Sequence, residues 1–248
     1  MADTLVTGGT GTLGRVLVER LQAAGRPTRV LSRRAGEGHV VGDLATGEGI
    51  DAAVRGCDVV VHCATGRKDG ETSARLVEAA LRNGAPHLVF ISIVGIDRIP
   101  LGYYREKLAV ERLLAGSSLP YTILRATQFH DLVAAMLGVL GRVPGVLPVP
   151  RGVAFQPVDV RDVADRLCVL AMGEPAGRVA DLGGPEVRTF DDLARAWLDA
   201  RGRRHRVVTV PVPGRLAAAV RTGANLVPEH ADGRITFPQY LQGVGVAR

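Results

Sequence analysis

The sequence has few cysteines, almost no lysine and no long apolar run. Its three cysteines, Cys57, Cys63 and Cys168, are scattered and odd in number, which argues against a disulfide framework and indicates a reducing compartment. No uninterrupted apolar run approaches the roughly 20 residues that span a bilayer, and Met1-Ala2-Asp3 lacks the basic start of a signal peptide. We therefore expect a cytoplasmic protein that does not enter a membrane.

The charge is basic but evenly spread. The 31 basic and 25 acidic residues give a formal net charge of +6, which would suit a nucleic-acid partner. Of the basic residues 29 are arginine and only Lys68 and Lys107 are lysine, and no basic block reaches five residues. We therefore predict no nucleic-acid binding. No His, Cys and Asp cluster has the spacing of metal ligands, so we also predict no metal site.

Short apolar runs alternate with amphipathic segments from residue 4 onward. Because helices that separate buried strands create right-handed crossovers, this rhythm predicts a doubly wound parallel sheet of the Rossmann-type α/β class. The predicted strands are residues 4–7, 29–31, 39–41, 58–62, 87–92 and 121–124, and the predicted helices are 14–24, 50–55, 73–83 and 104–115.

The rhythm changes after about residue 125, where prolines interrupt the pattern. Residues 156–160 predict a short strand, and Asp162 is predicted to be the N-cap of a helix that ends near Met172. Further helices are predicted at 190–200 and 216–224, with a strand at 207–210. We expect a single domain, 1–248, in which residues of about 126–155 and 185–248 contribute a small substrate lobe.

A glycine-rich turn follows the first strand. Gly8 would permit the tight turn, Gly11 would let a pyrophosphate approach the backbone, and Gly14 would let the next helix pack closely on the strand. The amino end of that helix would then face the phosphates. The sequence therefore predicts a dinucleotide site over Thr7, Gly8, Gly9, Thr10, Gly11, Thr12, Leu13 and Gly14.

The end of the second strand indicates which dinucleotide binds. A site that prefers NAD places a carboxylate about 20 residues after the glycines to hold the ribose diol. This sequence has Ser32, Arg33 and Arg34 there, and guanidinium groups pair well with a phosphate. We predict NADP(H), with these three residues on the 2′-phosphate.

Several motifs together resemble the atypical short-chain dehydrogenase/reductase superfamily, in its NmrA-like NAD(P)-binding branch. The resemblance implies that Asp43 and Leu44 flank the adenine, and that Ala64, Thr65 and Gly66 line the cofactor near the nicotinamide ribose. The motifs are the glycine loop, Gly42-Asp43-Leu44, His62-Cys63-Ala64-Thr65, Ile91-Ser92-Ile93-Val94-Gly95, Tyr103-Tyr104-Arg105-Glu106-Lys107 and the stretches 123–129 and 156–164.

The resemblance also implies a catalytic set. Tyr103 and Lys107 have the family's four-residue spacing, which places both on one face of a helix. Tyr103 would donate a proton, Lys107 would hold the ribose, and Ser92 would bind the substrate oxygen. The Lys107 ammonium is expected to lower the pKa of the tyrosine. A lysine in so arginine-rich a chain indicates a need for an amine. Tyr104 is the alternative proton donor.

The stretch after the sixth strand predicts a substrate pocket bordered by Gln128, Phe129 and His130. The segment 132–140 and the apolar residues Val146, Leu147, Val149, Ile235 and Phe237 predict that the pocket is apolar. The sequence thus predicts an NADPH-dependent reductase that acts, as a monomer or homodimer, on a carbonyl, quinone or enone of an apolar small molecule. The alternatives are a regulatory protein that senses NADP without turnover, and a non-redox epimerase or dehydratase.

Overall fold

The computed structural model describes residues 3–66 and 68–244. In chain order the elements are β1 (Thr4–Thr7), α1 (Thr12–Ala23), β2 (Thr28–Ser32), β3 (His39–Val41), α2 (Ile50–Val54), β4 (Val59–His62), α3 (Asp69–Arg82), β5 (His87–Ile93), α4 (Gly102–Ala115), β6 (Tyr121–Ala126), α5 (His130–Leu140), β7 (Val146–Pro150), β8 (Ala154–Phe155), α6 (Val160–Met172), β9 (Gly177–Arg178), β10 (Arg188–Thr189), α7 (Phe190–Asp199), β11 (Arg206–Val210), α8 (Arg215–Arg221), a 3-10 turn (Pro228–His230) and α9 (Phe237–Val244). Met1 and Ala2, on which the signal-peptide prediction rests, and residues 245–248 of the predicted domain lie outside the described residues.

Seven strands form the main sheet, in the order β3-β2-β1-β4-β5-β6-β9. The pairs β1–β2, β1–β4, β2–β3, β4–β5 and β6–β9 are parallel, which confirms the predicted doubly wound sheet. Because the strand order reverses direction between β1 and β4, a crevice for a ligand is expected at the carboxyl ends of these two strands.

The predicted strands of this sheet are all present, and their bounds differ from the prediction by at most two residues. Every residue of β1 and β4 is buried, because helices cover both faces of the sheet. Helix α3 begins at Asp69, four residues before the predicted start. The first turn contains the acidic residues Asp69 and Glu71. Their negative charges interact favourably with the positive end of the helix dipole and so stabilise the earlier start.

The chain divides into two compact units. The first comprises Met1–Ser92, Gly102–Arg125 and Val163–Ala180 and carries most of the seven-stranded sheet. Its core packs Leu5, Val60, Leu88 and Phe90 of the strands against side chains of α2, α3 and α4. The second comprises Ile93–Leu101, Ala126–Asp162 and Asp181–Arg248, which include the segments of about 126–155 and 185–248 predicted to form a substrate lobe.

The second unit contains the parallel pair β7–β11 and the antiparallel pair β8–β10. The predicted strand at 156–160 is wrong: there only Val158 makes a bridge, to Phe129, because Pro157 has no N–H to offer a ladder. Asp162 is not the N-cap of α6 either. The helix begins at Val160, and the Asp159 carboxylate accepts a hydrogen bond from the Arg161 amide at 2.9 Å.

Within residues 3–66 and 68–244, no helix combines the length and the apolarity that a membrane crossing requires.

Candidate functional site

The turn after β1 is one that only glycine fits. Gly8 has a φ of +69°, and a Cβ there would lie 2.6 Å from the Ala64 amide nitrogen; a Cβ on Gly14 would lie 2.1 Å from the Gly8 carbonyl oxygen. Both contacts are far inside van der Waals distance. The roles predicted for these two glycines, a tight turn and close helix packing, therefore agree with the geometry.

The amino end of α1 is open to an anion. The helix starts directly after Gly11, which has no side chain to cap it, and its first turn contains no acidic residue. Thr10, Gly11 and Thr12 are exposed. The first N–H groups of a helix carry partial positive charge and need acceptors, so this cradle fits the predicted pyrophosphate.

The end of β2 presents the predicted phosphate ligands. Arg33 and Arg34 are exposed, and the Ser32 hydroxyl accepts a hydrogen bond from the Arg34 amide at 3.1 Å. The inference that no carboxylate is available here needs correction. Glu37 lines a cavity of about 300 Å³ together with Gly9, Thr10, Arg15 and His39, because the turn before β3 brings it back toward the glycine loop.

The residues predicted to flank adenine lie after β3. The Asp43 carboxylate accepts a hydrogen bond from the Ala45 amide at 2.8 Å, and Leu44 packs against the core of the first unit. Their contact with adenine stays a prediction.

A buried network lies beneath the cradle. The Thr7 hydroxyl is 2.6 Å from His62 Nδ1 and accepts a hydrogen bond from the Ala64 amide. On the other side of the imidazole, His62 Nε2 is 2.9 Å from the Ser73 hydroxyl. Burial, with a smaller contribution from the charge of Lys107, lowers the pKa of His62 to about 3. His62 is thus a neutral core residue. The Thr7 hydroxyl joins the ends of β1 and β4 and is fully buried, so its side chain would act on the predicted cofactor site by shaping it.

The helix that carries the predicted catalytic pair begins at Gly102. Tyr103 is in its first turn, 39% exposed, with its hydroxyl 2.8 Å from Thr65 Oγ1. Lys107 follows one turn later, is 2% exposed, and its Nζ lies 4.8 Å from the centroid of Phe90. The spacing to Lys107 and the contact with Thr65, a predicted cofactor residue, favour Tyr103 over Tyr104.

Sequence reasoning missed the residue at the centre of this group, Asp69. Its carboxylate is 3% exposed and takes three partners: Lys107 Nζ at 3.2 Å from Oδ2, the Thr65 hydroxyl at 3.0 Å from Oδ2, and the Gly66 amide on Oδ1. An acidic residue in the first turn of a helix is ordinary. The sequence therefore contains no signal that this one turns inward.

The pKa values of Lys107 and Tyr103 in the folded protein differ from what the sequence suggested, because both residues are partly or wholly buried and Asp69 lies close to them. Burial lowers the pKa of Lys107, and the charge of Asp69 opposes that shift. The pKa of Tyr103 is raised, mainly by burial, with a further contribution from the Asp69 charge and an opposing one from the hydrogen bond to Thr65. The expectation that Lys107 lowers the pKa of the tyrosine is therefore wrong for this arrangement, because burial, the largest contribution, raises it.

Ser92 lies near the carboxyl end of β5, two residues after Phe90 and on the same face of the strand. It is 2% exposed, and its Oγ has no hydrogen-bond partner within the described part of the chain. A buried hydroxyl without a partner is costly, so this atom fits a ligand oxygen.

A separate cavity of about 790 Å³ is lined by Thr65, Gly66, Gly102, Tyr103, Arg105 and Glu106.

The residues predicted to bind substrate belong to the second unit and are mostly buried. Gln128 is hydrogen-bonded to Asn225 at 3.4 Å, and His130 is 0% exposed with Nε2 2.9 Å from the Ile235 carbonyl oxygen. His130 Nδ1, like Ser92 Oγ, is buried with no hydrogen-bond partner among the described residues, and substrate contact by Gln128 or His130 stays a prediction. Phe129, the N-cap of α5, is half-buried, and its contact with substrate stays a prediction.

Much of the apolar pocket predicted from the second half of the sequence is a packed core, although Leu132 and Val139 of the segment 132–140 are exposed. Leu137, Leu147, Val149 and Phe237 are at most 2% exposed and pack with Trp197 and its neighbours. Their apolar character reflects the folding of the second unit and gives no support to an apolar substrate.

Comparison with known proteins adds a family and a fold. A family model described as NAD(P)H-binding matches residues 8–139. The chain is 26% identical over 233 residues to the photosystem II assembly factor Ycf39 of Trieres chinensis, covering 84% of this chain and 72% of that protein. It is 31% identical over 202 residues to a (4-alkanoyl-5-oxo-2,5-dihydrofuran-3-yl)methyl phosphate reductase of Streptomyces griseus, covering 75% and 69%.

Among solved structures, an NADPH-dependent quinone oxidoreductase of Escherichia coli superimposes with a TM-score of 0.80 at 18% identity, covering 97% of this chain and 99% of that one. The chain spans 58–72% of the length of four curated relatives, the two described above included.

Proposed function

Because this chain belongs to the NAD(P)H-binding family, we propose that it is an NADPH-dependent reductase that delivers hydride to a carbonyl, quinone or enone of a small molecule. Family membership accounts for the Rossmann-type fold and a nicotinamide cofactor. The Streptomyces griseus reductase and the Escherichia coli quinone oxidoreductase support a redox role. Fold and family alone do not fix the reaction, so the proposal depends on the side chains at the site.

One observation carries the proposal: a phenol and an amine lie one turn apart on α4, and β5 offers a buried hydroxyl with no partner in the described chain. When bound, the dinucleotide supplies the hydride. Ser92 Oγ would then orient the substrate oxygen, and Tyr103 would give that oxygen its proton. An ordinary tyrosine is protonated at neutral pH, and the raised pKa of Tyr103 leaves the phenol in that state, which reduction requires.

We further propose a preference for NADP(H) over NAD(H). Arg33 and Arg34 are exposed at the carboxyl end of β2, and Arg15 lines the cavity beside Gly9 and Thr10. Three guanidinium groups near the expected 2′ position favour a phosphate there.

The experiment begins with NADPH and NADH binding to the purified chain by calorimetry. Oxidation of the bound cofactor is then followed by absorbance with menadione, an aliphatic ketone and a conjugated enone, and the reduced product is identified by mass spectrometry. Turnover of at least one acceptor class is expected. Tight NADPH binding without oxidation would instead indicate a regulatory role. A cofactor that stays bound with no net consumption while a substrate isomerises or loses water would indicate an epimerase or dehydratase.

A further inference from the structure

Four side chains of the first unit form one continuous chain of polar contacts. The Tyr103 hydroxyl is 2.8 Å from Thr65 Oγ1, Thr65 Oγ1 is 3.0 Å from Asp69 Oδ2, and Asp69 Oδ2 is 3.2 Å from Lys107 Nζ. The predicted proton donor and the predicted amine are thus joined through Thr65 and Asp69.

The directions of these hydrogen bonds follow from the chemistry of the groups. A carboxylate only accepts, so the single hydroxyl hydrogen of Thr65 points to Asp69. Thr65 Oγ1 must then accept from the phenol, and Tyr103 is the donor. Each oxygen in this series of contacts therefore lies within hydrogen-bond distance of the group from which it would receive a proton.

Burial sets this arrangement apart from ordinary helix capping. Asp69 is 3% exposed and Lys107 is 2% exposed, whereas the other acidic residue of the same helix turn, Glu71, is exposed and pairs with Lys68 at the surface. Placing two charges in the interior is expensive unless both are paired. Lysine, unlike arginine, exchanges its proton readily when buried.

We propose that Asp69 and Thr65 are positioning residues that hold Lys107 in place and return a proton to Tyr103 after each reduction. The inference rests on the proposed reductase function. As hydride reaches the substrate carbon, the electrons of the C=O π bond move to oxygen, which takes the Tyr103 proton. The Thr65 hydroxyl proton then moves to the phenolate, and Thr65 regains one from Asp69, which Lys107 has protonated. Lys107 takes a proton from water, so one solvent proton is consumed per hydride.

Within residues 3–66 and 68–244, the following ionisable groups near Tyr103 do not compete for this role. Burial raises the pKa of the Cys63 thiol to about 12 and lowers the pKa of His62 to about 3, so both are neutral at working pH. The Glu106 carboxylate accepts the Gly70 amide at 3.1 Å. Arg105 lines the cavity beside Tyr103 and is exposed, where solvent screens its charge.

The first test measures the phenol itself and needs no turnover. Tyrosine labelled with ¹³C at Cζ is titrated by NMR in the ligand-free protein, and Tyr103→Phe identifies the Tyr103 signal. Because the Asp69 charge contributes to the raised pKa of Tyr103, Asp69→Asn should move this titration to lower pH. Glu71→Gln removes a carboxylate from the same helix turn and should leave the titration unchanged.

The second test measures turnover with NADPH and menadione. Thr65→Val removes the hydroxyl with little change in shape and should lower kcat by about tenfold or more. Because Thr65 is also predicted to line the cofactor, the KM for NADPH can change as well, but by a smaller factor than kcat. Thr65→Ser should restore most of the rate. Reduction needs the protonated phenol, so the alkaline limb of the pH–rate profile should move to lower pH in Asp69→Asn. Retained NADPH binding shows that each variant is folded.

The outcomes separate the two claims. An unmoved Tyr103 titration in Asp69→Asn, or full activity in Thr65→Val, overturns the relay while the reductase proposal stands. A titration that shifts in a protein that reduces no acceptor overturns the reductase function, and the relay fails with it because the network is then structural.

Discussion

Lys107 and Asp69 form a buried ion pair, with Nζ 3.2 Å from Oδ2. The pair gives the amine a partner before any ligand arrives, because Lys107 at 2% exposure would otherwise carry an uncompensated interior charge. It also ties the first turn of α3 to α4, the helix that presents Tyr103. The phenol therefore lies near both charges of an ion pair, and its pKa is raised mainly by burial, with a smaller contribution from the Asp69 charge.

Replacing Tyr103 by Phe should lower kcat at least about a hundredfold, because the substrate oxygen loses its proton donor. The Kd for NADPH should stay within about twofold, since the removed hydroxyl makes its contact with Thr65. Steady-state kinetics with menadione and calorimetry check both statements. Tyr104→Phe is the matched control, and a loss of activity in that variant with none in Tyr103→Phe would exchange the two roles.

Cofactor preference should depend on the end of β2. Arg33→Ala should weaken NADPH binding by about tenfold or more, the loss of one charge-assisted phosphate contact, and should leave NADH binding unchanged. Glu37→Gln should leave NADPH binding unchanged or slightly tighter, because it removes a negative charge from the cavity beside Gly9. Arg166→Ala, at an exposed position on α6, is the control. If Glu37→Gln weakens NADH binding, Glu37 holds the ribose diol and the preference is for NAD.

The fold could be predicted from the sequence because its signals are local and mutually consistent. Buried strands carry continuous apolar runs, such as residues 59–61 of β4, and the glycine triplet at 8, 11 and 14 marks the first strand-to-helix turn. The second unit was predicted less well. There Pro157 interrupts a strand-like run, and the apolar residues around Leu147 pack into a core that sequence patterns do not distinguish from a pocket wall.

The candidate site could be predicted only in part, for a physical reason. Tyr103 and Lys107 share a helix, so their spacing fixes their relation. Asp69 contacts Lys107 from another helix, and no pattern in the sequence around Asp69 indicates that contact. Arg125 is similar: it pairs with the buried Glu111 of α4, with contacts of 2.7 and 2.8 Å, and no local pattern in the sequence indicates this pair.

The Arg125–Glu111 pair should be important for stability because it fastens α4 to β6 from inside. Arg125→Met leaves a buried carboxylate without its main counter-charge and should lower the free energy of unfolding by about 3–5 kcal/mol. The double variant Arg125→Met with Glu111→Leu should recover most of that loss, since no unpaired charge remains. Urea unfolding measures both. A single variant as stable as the parent would show that the pair contributes nothing net.

The glycine loop should tolerate no side chain at position 14. A Cβ there would lie 2.1 Å from the Gly8 carbonyl oxygen, so Gly14→Ala should lower the free energy of unfolding by about 1–3 kcal/mol and abolish NADPH binding. Gly138→Ala is the control. Gly138 is inside α5 with no atom within 4 Å of its Cβ position, and alanine there should stabilise the protein by about 0.5–1 kcal/mol. Unchanged NADPH binding in Gly14→Ala would contradict the cradle.

Stability should decline in acid partly because of His62. Its pKa in the folded protein is about 3, below the value of about 6.5 expected for the unfolded chain. The unfolded state therefore binds more protons as the pH falls below 6.5. Stability is complete above that pH and should be lost at up to about 1.4 kcal/mol per pH unit between 6.5 and about 3. Burial also lowers the pKa of His87 and His130, and these residues add to the loss.

Urea unfolding of the parent and of His62→Gln from pH 7 to 4 should show a shallower decline in the variant. His205→Gln, at a half-buried position of the second unit, controls for the loss of an imidazole. Equal slopes in the parent and His62→Gln would mean that His62 takes up a proton without unfolding.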